Sequence, residues 1–255
     1  MREVLFSDVW WQFLLLILAS YLIGNVNFAI LISGDKKHDI RTEGSGNPGT
    51  LNMSRTFGLK VGMLTLFLDV LKGCIPALIG YLLYRKTVFS GTEFVVGDLT
   101  RLLCGVSVVT GHIYPVFYRF KGGKGVASTI GVYLSAFPLF GLFMVAAAVT
   151  FVYFTELGSV GSFIAITPPA VLYVIRTAVH YAGHPAPGFA LAAVYVLAFL
   201  SMFLVYYAHR KNIARLIRGT EHPTSIKAML KKDRDKKQAT AAEKAQTPSD
   251  DGEEK

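Results

Sequence analysis

Charged residues are scarce in most of this chain. Only 17% of its 255 residues are charged, against about 25% in an ordinary soluble domain. Residues 227–255 alone carry 15 charges, which leaves 28 for the first 226 residues. Long uncharged runs between short polar loops argue against a soluble globular domain and predict a polytopic membrane protein.

Cysteine is also scarce, and several catalytic patterns are missing. The two cysteines, Cys74 and Cys104, lie in apolar runs, and no cysteines or histidines cluster at ligand spacing. This argues against a disulfide or a metal site, and no cofactor is implied. No histidine precedes an aspartate by five positions, so the H-x4-D pair that one class of acyltransferases uses is absent. The patterns G-x-S-x-G, H-E-x-x-H and D-x-x-D do not occur either. Their absence argues against a serine hydrolase, a zinc hydrolase and a divalent-metal phosphotransferase, respectively.

The apolar segments predict an all-α membrane bundle of about seven transmembrane helices. The uncharged run from Val126 to Phe154 is too long for one ordinary span, and a break near Phe137-Pro138 divides it into two short helices. Residues 1–222 form the predicted membrane domain, and residues 223–255 a charged, disordered cytoplasmic tail. The other predicted spans are Val9–Ser33, Val61–Tyr84, Phe94–Phe117, Ser159–Ile175 and Phe189–Ala208.

The basic residues predict the orientation. With the N-terminus outside, the outer loops carry little more than Arg85, Lys86 and Arg176. This asymmetry places the C-terminus and every glycine-rich loop in the cytoplasm, and it accounts for the net charge of +9 without a nucleic-acid partner. The inner loops then carry Lys36, Lys37, Arg41, Arg55, Lys60, Arg119, Lys121, Lys124, Arg210, Lys211, Arg215 and Arg218.

The first polar loop is rich in glycine and hydrogen-bond donors. It reads Gly44-Ser45-Gly46-Asn47-Pro48-Gly49-Thr50-Leu51-Asn52 and is flanked by Arg41 and Arg55. Glycines let backbone N–H groups turn toward an anion, and arginine suits phosphate. The alternative is an ordinary flexible loop between two spans.

The second loop, Arg119 to Gly125, follows Gly111-His112 and surrounds Lys124 with glycines just before a helix. This arrangement predicts an anion cradle at a helix N-terminus. It is not a nucleotide P-loop, because Gly125 stands where that pattern requires serine or threonine. The alternative is an anchor that only sets membrane orientation.

A third polar segment follows the last span. If it is helical, His209, Asn212 and Arg215 form one stripe, and Gly219 suits the position after a helix end. The alternative is a basic helix that touches anionic lipid.

Two smaller features lie near these loops. Asp69 and Lys72 sit inside a span and are expected to pair with each other or to face a polar interior. Ser159 and Ser162 lie on the cytoplasmic side, where they line a site or simply cap and pack a helix.

The three motifs, in this order, resemble those of the acyl-phosphate-dependent glycerol-3-phosphate acyltransferases, bacterial integral membrane enzymes of phospholipid synthesis. The resemblance covers about residues 10–222. Its patterns are G-S-G-N-x-G-x-x-N with a following arginine (Gly44 to Asn52, Arg55), G-H-x-x-P-x-F-x-x-F-K-G-G-K-G-V-A (Gly111 to Ala127) and H-x-x-N-x-x-R-L-x-x-G-x-E (His209 to Glu221).

The resemblance implies transfer of a fatty acyl group from acyl phosphate to the 1-hydroxyl of glycerol 3-phosphate, at the cytoplasmic face of the bacterial inner membrane. Its partners are then these two substrates and membrane lipids. The implied catalytic residues are Ser45, Arg55, Lys124, His209 and Asn212. The implied substrate-binding residues are Gly44, Gly46, Asn47, Gly49, Asn52, His112, Lys121, Gly122, Gly123, Gly125, Ser159, Ser162 and Arg215. The structural residues are Asp69, Lys72, Gly219 and Glu221, and the glutamate is expected to tie down the positive charges of the third motif.

The residues themselves leave two alternatives. A transporter of a phosphorylated metabolite would also use basic glycine loops, although its polar groups should reach the middle of the bilayer. The second alternative is an acyltransferase that takes the acyl group from acyl-CoA or acyl carrier protein instead of acyl phosphate. The group that accepts the hydroxyl proton is open between His209 and a substrate phosphate oxygen.

Overall fold

The computed structural model describes residues 1–246 and is built mainly of α-helices. The helices are α1 (Phe6–Asn25), α2 (Phe28–Asp35), α3 (Thr50–Phe57), α4 (Leu59–Tyr84), α5 (Val96–Ile113), α6 (Val126–Leu134), α7 (Pro138–Thr155), α8 (Gly158–Tyr181), α9 (Gly188–Ala208), α10 (Arg210–Ile217) and α11 (Ile226–Gln246). A single 3-10 turn, Val116–Tyr118, follows α5.

Within residues 1–246, six helical stretches are long and apolar enough to cross a membrane. The predicted count of about seven is therefore not confirmed, and the orientation stays a prediction. The six stretches are Phe6–Asp35, Leu59–Tyr84, Val96–Tyr118, Pro138–Thr155, Gly158–His180 and Gly188–Ala208.

Helix α6 accounts for the difference in the count. The predicted break is present, because α6 ends at Leu134 and α7 begins at Pro138. With 9 residues, α6 is about 14 Å long, roughly half of the hydrocarbon core. The Arg101 guanidinium donates to both the carbonyl and the hydroxyl oxygen of Ser135, directly after α6. A cation at the C-terminal end of a helix can donate to the last carbonyl groups, which have no hydrogen-bond donor within the helix.

Helix α5 is the centre of the bundle, since 15 of its 18 residues are buried. Glycines allow its neighbours to approach closely. A Cβ at Gly80 of α4 would lie 2.8 Å from the Thr100 carbonyl oxygen of α5, and a Cβ at Gly131 of α6 would lie 2.7 Å from the Cys74 nitrogen of α4. Small residues at such contacts are typical of membrane helices. In lipid the hydrophobic effect does not drive helices together, so they associate through close van der Waals packing.

Two short strands close the end of the bundle opposite the polar loops. Strand β1 (Arg2–Val4) pairs in parallel with β2 (Thr87–Phe89). The predicted helical architecture is confirmed, but these two strands were not predicted. Strands of 3 residues are too short for a reliable alternating pattern, and their pairing joins distant parts of the chain.

The segment after residue 222 also differs from its prediction. The sequence predicts disorder for residues 223–255, whereas the structure has α11 over Ile226–Gln246; residues 247–255 lie outside the described part. The charge of this segment suggested disorder, but Ala, Lys, Leu and Gln are also good helix formers. Met229 buries its side chain against the bundle, with 8% exposed. The division of the chain at residue 222 stays a prediction.

Candidate active site

The first glycine loop is organised by a buried asparagine. The Asn52 amide donates to the carbonyl oxygens of Ile40 (3.2 Å) and Glu43 (2.9 Å) and accepts from the Ser45 N–H (3.0 Å). All of its polar atoms are therefore used inside the loop, and substrate binding by Asn52 stays a prediction. Gly44 and Gly46 have φ of +55° and +69°, which favours glycine.

The remaining polar groups of this loop lie closer to the surface. Ser45 is exposed, and Asn47 and Gly49 are half-buried. Arg41 pairs with Asp39 at 2.8 Å, on the exposed side of the loop. The loop therefore leaves the Ser45 and Asn47 side chains as its groups toward a ligand.

Arg55 lies on the short helix α3 that follows this loop. Its Nη2 donates to the Thr224 hydroxyl at 2.7 Å and to the Pro223 carbonyl at 3.4 Å. Burial lowers the pKa of the Arg55 guanidinium, and the Glu221 carboxylate opposes this shift.

The second glycine loop folds back against the end of α5. The N–H groups of Gly122 and Gly123 donate to the carbonyls of Ile113 (3.2 Å) and His112 (3.1 Å). These two N–H groups are therefore used within the fold, where the glycines allow close packing. Their binding of phosphate stays a prediction. Gly125 has φ of +81° and begins α6. Within residues 1–246, the N–H groups of residues 124–127 have no hydrogen-bond acceptor, so these four groups can meet an anion at the N-terminus of α6.

A buried polar cluster lies beneath Gly123. Lys72 Nζ pairs with Asp69 at 2.7 Å, as predicted, and also donates to His112 Nδ1 (2.8 Å) and the Val26 carbonyl (2.7 Å). His112 is 4% exposed. The histidine also packs against Gly123, and its role in substrate binding stays a prediction.

The third motif forms α10 and the turn after it. Asn212 Oδ1 accepts a hydrogen bond of 2.6 Å from Lys124 Nζ, which joins the second and third motifs. Gly219 has φ of +68° directly after the helix, as its predicted position requires. Lys121, predicted to bind substrate, is exposed on the second loop.

Glu221 is the point where these segments meet. Its Oε1 accepts from Asn212 (2.7 Å) and Ser159 (3.0 Å), and its Oε2 pairs with Arg215 (2.8 Å). Burial opposes ionisation, but the hydrogen bonds from Asn212, Ser159 and Arg215 outweigh it and keep the pKa of Glu221 below its usual value. Of the two predicted serines, Ser159 joins the cluster, whereas Ser162 donates to the Gly158 carbonyl within α8 (3.0 Å).

Lys124 stands in a field of positive charge. Burial lowers its pKa to about 8; Glu221 opposes this shift, while Arg215 and Arg55 add to it. Three cations from three separate motifs therefore share one nearby carboxylate. Positive charge in excess of its counter-charge favours binding of a multivalent anion.

His209 lies directly after α9 and is 2% exposed. Its Nδ1 is 2.8 Å from the Val205 carbonyl. Because a carbonyl only accepts, Nδ1 carries the proton and Nε2 has the free lone pair. Burial and the Lys124 charge lower the pKa of His209 to about 4, although the Val205 carbonyl and Glu221 act in the opposite direction. The imidazole is therefore neutral at pH 7.

The residues that sequence reasoning missed lie in the predicted tail. Pro223 and Thr224 contact Arg55, and Lys232 Nζ donates to the Arg55 carbonyl (3.1 Å). One local signal was available: Ser225 precedes α11, and its hydroxyl accepts from the Ala228 N–H (3.3 Å) as a helix cap does. Among residues 1–246, no group of three or more His, Cys, Asp or Glu side chains could hold a metal ion.

Comparisons with known proteins identify the family of this chain. A family model described as glycerol-3-phosphate acyltransferase matches residues 14–219. A protein named glycerol-3-phosphate acyltransferase from Thermoanaerobacter pseudethanolicus is 36% identical, over 83% of this chain and 96% of its own. One of that name from Aquifex aeolicus is 36% identical over 82% and 97%. Another from Paraburkholderia phytofirmans is 35% identical over 94% and 99%, a match that continues beyond residue 219.

Two solved structures are also similar. They are crystal structures of PlsY (YgiH), described as an integral membrane glycerol 3-phosphate acyltransferase, in a glycerol 3-phosphate form and a lysophosphatidic acid form. Their TM-scores are 0.67 and 0.64, with 32% identity over 86% of this chain and 98% of theirs. With its apolar helices and its three motifs gathered at one end of the bundle, this chain is a multi-pass membrane protein that belongs to the glycerol-3-phosphate acyltransferase family.

Proposed function

We propose that this protein transfers a fatty acyl group from acyl phosphate to the 1-hydroxyl of glycerol 3-phosphate, giving lysophosphatidic acid and inorganic phosphate. The observation that carries the proposal is the cluster of Arg55, Lys124 and Arg215 around the carboxylate of Glu221. It lies beside the unbonded N–H groups that open α6. Both substrates carry phosphate, and this surplus of positive charge suits them.

The reaction needs positioning more than a protein nucleophile. The hydroxyl oxygen of glycerol 3-phosphate attacks the acyl carbonyl carbon and forms the ester bond. The bond between that carbon and the bridging phosphate oxygen breaks, and phosphate leaves with the electron pair. A mixed anhydride is already activated, so charge stabilisation at the leaving phosphate supplies the catalysis.

The side chains divide this work between them. Arg55 and Lys124 hold phosphate, and the exposed Ser45 with Asn47 orients the reacting groups. Asn212 holds Lys124 through its 2.6 Å hydrogen bond. Two groups are available for the hydroxyl proton: Nε2 of neutral His209, and an oxygen of the leaving phosphate. A His209→Ala variant distinguishes them, because only the first route needs the imidazole.

The location follows from the same arrangement. We place the protein in the bacterial cytoplasmic membrane with its N-terminus outside and the site facing the cytoplasm. Basic loops between the apolar helices support this orientation. Water-soluble glycerol 3-phosphate then reaches the site from the cytoplasm, and the acyl chain reaches it from the bilayer.

A donor exchange tests the proposal. Purified protein receives labelled glycerol 3-phosphate with acyl phosphate, acyl-CoA or acyl carrier protein bearing the same chain, and a Lys124→Ala variant serves as the inactive control. We expect lysophosphatidic acid only from acyl phosphate. Turnover with acyl-CoA or acyl carrier protein alone would contradict the proposed donor. Movement of glycerol 3-phosphate into sealed vesicles without any product would instead support a transporter.

A further inference from the structure

The segment after the third motif packs against Arg55. We call residues 222–234 the strap. Its first part is fixed by the Thr224 N–H, which donates to the Glu156 carbonyl at the end of α7 (2.7 Å). Its second part is fixed by Asp233, whose carboxylate accepts from the Leu59 N–H at the start of α4 (2.9 Å). The strap thus contacts the end of α7, the start of α4 and Arg55.

The capping contact explains why the strap docks at α4. Helix α4 follows Gly58, which has φ of +95° and no side chain to cap the first N–H groups. Asp233 supplies that cap from the strap, and a carboxylate at a helix N-terminus is favourable. Lys227 adds a second anchor, with Nζ 4.8 Å from the centre of the Tyr153 ring.

Thr224 is the part of the strap that touches Arg55. Its side chain is buried, with 4% exposed, and its hydroxyl is held 2.7 Å from Arg55 Nη2. The space for this hydroxyl depends on Gly158, where a Cβ would lie 2.7 Å from Thr224 Oγ1. Within residues 1–246, the Arg55 side chain has no hydrogen-bond acceptors besides Thr224 and Pro223. Its Nε and Nη1 donors therefore stay available for a ligand.

We propose that Thr224 is a positioning residue: it holds Nη2 of Arg55 so that the other guanidinium donors face the substrate phosphate. The proposal rests on the proposed function, in which Arg55 binds phosphate. A free arginine side chain has several rotamers, and fixing one of them before binding reduces the entropy lost when phosphate binds. The hydroxyl accepts from Nη2 and neutralises no charge, so the guanidinium keeps its full attraction for the anion.

The test compares variants of the full-length protein in detergent. Thr224→Val removes the hydroxyl with almost no change in shape, whereas Thr224→Ser keeps the hydroxyl. Thr87→Val is the matched control, because Thr87 is similarly buried, with 7% exposed, but lies on β2 at the other end of the bundle. Calorimetric binding of glycerol 3-phosphate and the KM values of both substrates are measured for each variant.

We expect Thr224→Val to weaken the affinity for one phosphate substrate about tenfold, as for loss of one hydrogen bond to a charged group, with kcat and the melting temperature changed much less. Thr224→Ser and Thr87→Val should resemble the wild type. In an Arg55→Ala background, Thr224→Val should cause no additional loss, because its effect passes through the arginine. A strap that only stabilised the fold would lower the melting temperature and give additive losses.

Other results would overturn the assignment. Unchanged or tighter substrate binding in Thr224→Val would mean that the strap leaves Arg55 unaffected or competes with phosphate for it. Asp233→Asn, which weakens the cap on α4, gives a second route to the same readout if Thr224→Val does not fold. Calorimetry with glycerol 3-phosphate needs no acyl donor, so a failure of the proposed donor would not be mistaken for a failure of this proposal.

Discussion

Replacing Gly123 by alanine tests how precisely the second glycine loop must be placed. An added Cβ would lie 2.9 Å from His112 Cε1, still closer to Nε2, and 3.0 Å from the Pro48 carbonyl oxygen. Ordinary carbon contacts lie at about 3.5–4.0 Å, so the loop or the histidine must move by about 1 Å.

The histidine cannot easily provide that movement. Its Nδ1 is held by Lys72 at 2.8 Å, and Lys72 is held by Asp69 at 2.7 Å within the buried cluster. The loop must therefore move instead, and with it the neighbouring Lys124. A displacement of about 1 Å at a catalytic group costs about 100-fold. We expect kcat/KM to fall by about that factor, mainly through a higher KM for one phosphate substrate.

The assay is steady-state kinetics with each substrate varied in turn. Gly34→Ala is the matched control, because its added Cβ would meet no atom within 4 Å, and its activity should equal that of the wild type. A melting temperature close to the wild-type value would show that the Gly123→Ala protein is folded. Wild-type kinetics in a folded Gly123→Ala protein would refute the argument and leave the loop as a membrane anchor.

Four further outcomes are expected. The pKa of Lys124 is about 8, below its usual value, so above pH 8 the lysine loses its proton before phosphate binds. The value of kcat/KM should then fall toward tenfold per pH unit. A Lys124→Arg variant should remove this decline. Because the pKa of His209 is about 4, kcat/KM should show no histidine-dependent change between about pH 5 and 8. If the imidazole accepts the proton, His209→Ala should give folded protein whose kcat is at least about 100-fold lower. Glu221→Ala leaves three donors without their acceptor and should cost about 3 kcal/mol, seen as a lower melting temperature in detergent. Single cysteines at positions 47 and 218 should react with an impermeant reagent only after spheroplasts are permeabilised.

Each of these has a contrary result. If kcat/KM still declined above pH 8 in Lys124→Arg, the decline would be assigned to another group. Full activity of His209→Ala would assign the proton to the leaving phosphate. If Glu221→Ala kept its stability but lost turnover, the glutamate would be the better general-base candidate. Labelling of intact spheroplasts would contradict the proposed orientation.

Local features of the structure could be predicted from the sequence. Apolar helices, the break before Pro138 and the left-handed residue Gly219 follow from hydropathy and from backbone preferences that act over a few residues. The Asp69–Lys72 pair was predictable for the same reason, since the two positions are one helical turn apart. The three motifs were also predictable as neighbours, because all lie at the same predicted membrane face.

Only the tertiary structure decided which polar groups use each other and which remain for a ligand. The sequence cannot show that the Gly122 and Gly123 N–H groups are consumed by α5, or that Ser159 rather than Ser162 joins Glu221. Nor can it show that Thr224 contacts Arg55, across a separation of 169 residues. Hydropathy and helix preference are read from neighbouring residues, whereas a buried polar group takes whichever partner the packed helices bring to it, and that choice depends on the whole fold.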